Sequence, residues 1–522
     1  MTDTHDVIII GAGHNGLVCA ATLAKAGRRV VVLERADRPG GAARTRTFAP
    51  GYSVSSGAHF LNQFPVSLIE ELQLAKHGLR FAAKGLATVA LQADGRHLRL
   101  DGAKAAATDL GAVDQQAFAE FHAEIASYAA VLAGAFGRRP PRLVDSDWRD
   151  RLGLLKLGWD IRTLGRDRMR EVLRIGLMNI HDLASERFED ARLRSAVAFD
   201  AVLGTSMGPR APNTVMSYLY RRTADAFGHA GPSIPVGGMG AFADALAAAA
   251  TARGAEIRLQ AGVASIVVHE GRATGVVLDS GEVLNASTVI SNADPRTTLK
   301  GLVGYRELDA GFVRRVEGIR MRGMAAKLHL ALDALPSIPG LDAANAGDRL
   351  VLCPSLEGLD EAMNPSKYRQ FSAEPVIELC IPTLHDPSLA PPGKHVISAV
   401  VQYAPVDLEG GWTAAARAEF EARIMARLET VMPGIGSLVS SSELCVAPDI
   451  QSEFGIHGGH WHHGEISVDQ LLMMRPVVLF SQYAMPIDGL WLCGAGAHPG
   501  GGVMGLAGRN CAQEIIRKRA SA

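Results

Sequence analysis

A chain of 522 residues has room for two or three domains, and 48% hydrophobic against 20% charged residues is an ordinary globular balance. A core of that size needs no disulfide or metal to hold it, a formal net charge of −1 argues against a nucleic-acid-binding surface, and no apolar run reaches the length of about 18 residues that a membrane-spanning helix needs. The start, Met1-Thr-Asp-Thr-His-Asp, lacks the basic and apolar stretches of a signal peptide, so the expected location is cytoplasmic.

Asp6 to Ile10 is a short apolar run, as expected for a strand buried on both faces. Gly11 to Gly16 turns the chain, Leu17 to Ala26 has a helical pattern closed by Gly27, and Arg29 to Leu33 is a second apolar strand. Together they predict a βαβ unit with a parallel sheet. Leu79 to Ala230 is mostly helical in pattern, with a break at Pro140-Pro141 and a basic, leucine-rich stretch from Leu152 to Met178. After Gly237-Gly238-Met239-Gly240 comes an alanine-rich helix, Ala241 to Ala252. Short strands follow at Ile257–Leu259, Ala264–Val268, Thr274–Leu278 and Thr288–Ser291. Met324–Leu332, Val376–Pro382 and His395–Tyr403 read as a second sheet, Ala414–Val431 as a helix, and Ala507–Arg517 as the last helix.

The segment Gly11-Ala-Gly13-His-Asn-Gly16 is a GxGxxG loop between a strand and a helix. The first glycine permits the tight turn, the second lets backbone approach a pyrophosphate, and the third lets helix pack on strand. Glu34 ends the second strand, near the spacing of roughly 20 residues expected of the acid that binds a ribose hydroxyl. The whole unit predicts a dinucleotide site.

Directly after the acid, Arg35-Ala-Asp-Arg-Pro-Gly40-Gly41-Ala-Ala-Arg44 resembles the GG motif of the flavin amine oxidase and carotenoid desaturase superfamily. The resemblance implies FAD, with the paired glycines running along its pyrophosphate and arginine adding charge. Gly494-Ala-Gly496-Ala-His498-Pro499-Gly500-Gly501-Gly502-Val503-Met504-Gly505 is similar to the C-terminal GxGTHPGGGVPG signature of bacterial-type phytoene desaturases. Ala497 stands for the threonine and Met504 for the proline. Gly494, Gly501, Gly502 and Val503 are thereby expected at the flavin, and Val263 beside the adenine. Ser452 to Pro476 looks closer to the pyridine nucleotide-disulfide oxidoreductase domain-containing protein 2-like subgroup. The six cysteines contain no CxxC pair, which disfavours a dithiol relay and fits a reducing compartment.

The resemblance also places His59 on a path toward the flavin ring, and His463 on the flavin side of His457-Gly-Gly-His460-Trp-His462-His463-Gly-Glu465. That histidine run invites a metal reading, but glycine interrupts it and no metal is expected. Satisfied core or loop histidines are the competing reading for both. The basic stretch that begins at Leu152 reads either as a cap on the substrate domain or as a membrane-surface helix.

The expected fold is α/β. A Rossmann-type FAD-binding domain is assembled from three discontinuous segments, 1–78, 231–303 and 456–522. A helical insertion (79–230) and a mixed α+β substrate domain (304–455) complete it. The expected reaction is hydride abstraction from a C–H bond of an apolar small molecule, with oxygen or a quinone taking the electrons. Only one dinucleotide fingerprint exists, so no NAD(P)H site is expected. Flavin-dependent amine oxidation is the alternative, and a flavin-free binding protein of the GDP-dissociation-inhibitor type is the non-enzyme alternative.

Overall fold

The computed structural model describes residues 5–520. Met1–Thr4, where the expectation about a signal peptide falls, and Ser521–Ala522 lie outside the described residues.

A seven-stranded sheet carries the dinucleotide half. Its order is Glu256–Arg258, Val30–Leu33, His5–Ile10, Val283–Ser291, Arg272–Leu278, Val263–His269, with Leu490–Leu492 also paired to Val283–Ser291. The strands at 5–10, 30–33, 256–258, 283–291 and 490–492 run parallel, and the 263–278 hairpin adds antiparallel strands. All four residues of Val30–Leu33 are buried, as a parallel sheet covered on both faces requires. Strands from residues 5–33, 256–291 and 490–492 thus meet in one sheet. The helix after the first strand spans His14–Lys25, three residues earlier than its apolar pattern begins, because Gly13 is its N-cap. The last helix, Leu506–Ala520, packs on it.

An eight-stranded sheet forms the second layer system. Its order is Val439–Cys445, Ala325–Leu332, His395–Gln402, Val376–Cys380, Arg349–Leu352, Thr88–Ala90, Leu98–Asp101, Lys104–Ala106. The last three strands come from the stretch expected to be mostly helical. They are only three or four residues long, and their turns are Asp94-Gly95 and Asp101-Gly102, with both glycines at positive φ. Helices at 112–136, 148–162, 166–175, 180–187, 191–202 and 214–226 make up the rest of that stretch. Among the described residues no helix is long and apolar enough to cross a membrane.

Candidate active site

Strand His5–Ile10 delivers the glycine loop to the head of helix His14–Lys25, which no side chain caps. Its first N–H groups therefore remain available to an anion. A Cβ on Gly16 would sit 2.3 Å from Gly11 O, so this turn tolerates glycine alone. Gly13 bridges to Gly40 in a short parallel pairing, and Gly41 stacks over Gly13 Cα. The two glycine motifs are one cradle. Glu34 is buried at the strand end; Ala12 N–H donates to its Oε2 at 2.8 Å and Ala36 N–H to its Oε1 at 2.9 Å. Each oxygen keeps a lone pair for a ribose hydroxyl.

Val263 opens its strand just past Ala261, whose N–H donates to Glu34 O at 2.8 Å, so it lies at the Glu34 end. Arg35 and Arg44 both reach the helix Ala447–Phe454. Arg35 Nη2 donates to Glu453 O at 2.9 Å, and Arg44 Nη2 to Glu453 Oε1 at 2.8 Å, with its guanidinium over the Phe454 ring. Arg44 Nε is buried without a partner among the described residues. An uncapped helix head, a glycine cradle, a buried acid at the strand end and an orphaned guanidinium N–H fit a dinucleotide diphosphate. Gly494 abuts Asn292, where a Cβ would meet Asn292 O at 2.4 Å.

One large cavity, about 1660 Å³ of empty space with its mouth included, joins the two halves. His14, Ala42 and Ala43 of the cradle line it together with Gly501, Gly502 and Val503. Val503 has φ +58°, unusual for a β-branched residue and a mark of a constrained loop. Arg475 helps fix that loop, donating to Ala495 O at 3.1 Å and to Glu465 O at 3.1 Å. A Cβ on Gly501 would meet His462 Cα at 2.8 Å, so that glycine answers first to a protein neighbour.

The opposite wall is a row of charge on the second sheet. Lys327, Val400, Glu378 and Val351 sit in register across four adjacent strands. Ser398 and Arg349 lie two residues along their strands, hence on the same face. Lys327 Nζ donates to His59 Nδ1 at 3.0 Å and to Ser398 Oγ at 2.9 Å. His59 Nε2 faces Glu378 Oε1 at 3.1 Å, and Arg349 joins Glu378 to Asp200. Since Lys327 occupies Nδ1, the network assigns the His59 proton to Nε2 and leaves the ring neutral. Burial and then the Lys327 charge push the His59 pKa down to about 4, against the pull of Glu378. Burial also lowers Lys327, to about 8. Burial alone would raise Glu378, but the Arg349 charge and the His59 hydrogen bond hold it well below the carboxylate range.

His59 therefore lines the cavity, whereas His463 does not. His463 has φ +54°, and burial lowers its pKa to about 4; it packs near Gly496, and its neighbour His462 faces the cavity instead. Among the described residues no group of three His, Cys, Asp or Glu could hold a metal. The Gly237–Gly240 turn heads a helix whose N–H groups are taken: Met239 donates to Ser55 Oγ at 3.0 Å and Gly240 to Thr45 Oγ1 at 2.9 Å. Sequence reasoning missed Lys327, Glu378, Arg349, Asp200 and Arg221. A lone charge inside an otherwise apolar strand, as in Ala325–Leu332 and Val376–Cys380, was the available signal.

Residues 16–516 match the model of the family described as flavin containing amine oxidoreductase. The mouse pyridine nucleotide-disulfide oxidoreductase domain-containing protein 2 is 34% identical over 550 residues, covering 98% of this chain and 93% of the relative. A neurosporene-forming phytoene desaturase of Cereibacter sphaeroides is 26% identical over 542 residues, covering 99% of this chain and 95% of its own. Cyclohexylamine oxidase from Brevibacterium oxydans superposes with a TM-score of 0.58 at 17% identity, over 99% of this chain and 100% of that one. The chain belongs to the flavin-containing amine oxidoreductase family and is an FAD-dependent oxidoreductase.

Proposed function

We propose that this enzyme dehydrogenates a C–H bond of an organic small molecule seated between the glycine loops and the charged row. The observation that carries the reading is the shared cavity, which touches the cradle at Ala42, Ala43 and Gly501–Val503 and the charged row at His59, Lys327 and Glu378. When bound, FAD supplies a two-electron acceptor for hydride. Gly11, Gly13, Gly16, Glu34, Gly40, Gly41, Arg44, Val263 and Gly494 are the residues that would hold it. Phe60, Trp461, Val400 and Ile466 give the substrate an apolar wall and exclude water from it. His59 stays neutral and holds Lys327 in place. Lys327 Nζ, lowered to about 8, holds or releases a proton near neutral pH, which suits it to take the proton that leaves with the hydride. Oxygen or a quinone completes the cycle as electron acceptor.

The desaturation of an apolar substrate is supported by the relatives named phytoene desaturases and by the apolar wall. Amine oxidation is supported by the fold shared with cyclohexylamine oxidase. Anaerobic bleaching of the flavin band by a panel of polyenes, alkenes and amines tests both. If no carbon substrate reduces the flavin while the folded protein holds FAD, the reading fails.

We further propose that helices Trp148–Arg162 and Arg166–Ile175 rest on an anionic membrane surface. Trp148, Leu152, Leu155 and Trp159 are 66%, 54%, 70% and 67% exposed. Arg149, Arg151, Lys156, Arg162, Arg166, Arg168 and Arg170 are exposed around them and make no ion pair among the described residues. Aromatic and basic residues on one such surface are what an interfacial helix needs.

A further inference from the structure

With Lys327 protonated, the charge that faces the cavity is not balanced by protein. Arg221, Arg222, Lys327 and Arg349 line it as cations, and Asp200, Asp225 and Glu378 as carboxylates. Every carboxylate is engaged. Asp225 accepts from Arg222 Nη2 at 2.7 Å, Asp200 from Arg349 Nη2 at 2.6 Å, and Glu378 from Arg349 Nε at 2.5 Å. Lys327 is held by His59 and Ser398, neither of them an anion. Because Asp200 and Glu378 share Arg349, Arg221 is their second counter-charge, but it hydrogen-bonds to neither. Its nearest acidic oxygens, on Asp200 and Glu378, are both 3.9 Å away, and among the described residues it has no hydrogen-bond partner.

We propose that the substrate carries a carboxylate, and that Arg221 docks it inside this cavity. The proposal rests on the reading above that the cavity is the substrate site, and it narrows that reading. A guanidinium offers a planar pair of N–H donors that matches a carboxylate bidentately, and the low local dielectric strengthens the pair. The anchor is also registered against the glycine loop. Arg221 follows Tyr220 on helix Thr214–Ala226, and the Tyr220 hydroxyl donates to Gly501 O at 2.6 Å. A carboxylate on Arg221 therefore holds the rest of the molecule at a set offset from Gly501–Val503, which is what an aligned C–H bond requires. Phe60, Trp461 and Ile466 remain for its apolar body. The excess cation repels an ammonium ion and gives a wholly apolar polyene nothing to pair with.

The test uses FAD-loaded enzyme and three probes of one shape: hexanoate, hexanamide and hexylamine. Binding is read twice, by the shift of the flavin absorbance band and by tryptophan fluorescence, since Trp461 lines the cavity. Neither readout needs turnover, so a failed substrate panel and a failed carboxylate site are separate results. In the unaltered protein hexanoate is expected to bind at least about ten-fold tighter than hexanamide, with hexylamine weakest. Arg221→Met should raise the hexanoate Kd by at least about ten-fold and leave hexanamide within about two-fold, with Arg221→Lys intermediate. Equal affinity for hexanoate and hexanamide in the unaltered enzyme overturns the proposal without any variant. So does an Arg221→Met enzyme that keeps its hexanoate affinity but shows a lowered flavin reduction potential, because the guanidinium would then serve the reduced ring.

Discussion

Lys327 Nζ lies 3.0 Å from Nδ1 of His59, an ammonium donating to an imidazole nitrogen. Burial disfavours charge on both groups, and the Lys327 charge further depresses the proton affinity of His59. Replacing Lys327 with Met removes the charge that opposes protonation of His59 and frees Nδ1. The His59 pKa should move up toward its ordinary value. Flavin reduction should slow by about 10²-fold, the low end of general acid–base contributions. Its pH profile should lose the ionisation near 8. A profile that keeps that limb assigns it to another group.

Acid should unfold this protein early. His14, His59, His463 and His498 are each lowered to about 4, in every case chiefly by burial. Below pH 6.5 the unfolded chain binds protons at these sites that the folded chain refuses, so stability falls as pH drops from about 6.5 to about 4. Each site contributes up to about 3 kcal/mol across that window. Urea unfolding between pH 7.5 and 5 checks this, and His59→Gln should flatten the slope. Lys327 acts in another window: its pKa lies below the unfolded value, so its share of stability is gained as pH rises from about 8 to 10.5.

Glu34→Ala should release FAD. The variant loses a charged acceptor facing the ribose position, worth roughly 1.5–3 kcal/mol, or about 10- to 150-fold in Kd. It also loses the bond from Ala12 N–H that shapes the loop. Flavin fluorescence during dialysis measures the loss. Full retention would move the ribose site elsewhere.

NADH and NADPH should bleach the flavin slowly, if at all. On the proposed placement the GxGxxG cradle holds FAD, and the helix head at Gly238 is already occupied by Thr45 and Ser55. Hydride transfer needs the nicotinamide held within about 3–3.5 Å in an aligned pose. Anaerobic stopped-flow absorbance decides it: fast, saturable bleaching by micromolar NADPH contradicts the prediction.

Vesicles containing phosphatidylserine should bind the protein, and phosphatidylcholine vesicles should not. Trp148 and Trp159 should show a blue-shifted emission on binding, and added salt should reverse it. Replacing both tryptophans with Ser should abolish co-sedimentation without altering flavin content. Unchanged binding by that variant would remove these helices from the contact.

The dinucleotide end was legible in the sequence because its parts are local. A strand, a glycine turn, a helix and an acid fall within the stretch from Asp6 to Glu34. The charged wall was not legible as a site, since Lys327, Arg349, Glu378 and Ser398 meet only through the strand order of a second sheet and His59 reaches them from a loop far away in sequence. Even so, a lysine amid Ala325–Leu332 was a visible anomaly. Between His462 and His463 the sequence offers no period to say which one faces inward; in the structure His462 lines the cavity and His463, at positive φ, does not. The strands from Thr88 to Ala106 were hidden by their shortness, although two Asp-Gly pairs announced their turns.

The central pairing of the dinucleotide sheet sets a schedule for biosynthesis. His5–Ile10 pairs with Val283–Ser291, which pairs in turn with Leu490–Leu492, and helix Leu506–Ala520 packs against helix His14–Lys25. At about 5–20 residues per second, the first strand leaves the ribosome on the order of half a minute or more before its last companions. Throughout that wait the nascent cradle has an unfinished floor and an uncovered helix. A stop codon or frameshift anywhere ahead of Leu490 would thus leave the cofactor half without its closing strand, however intact the substrate half might be.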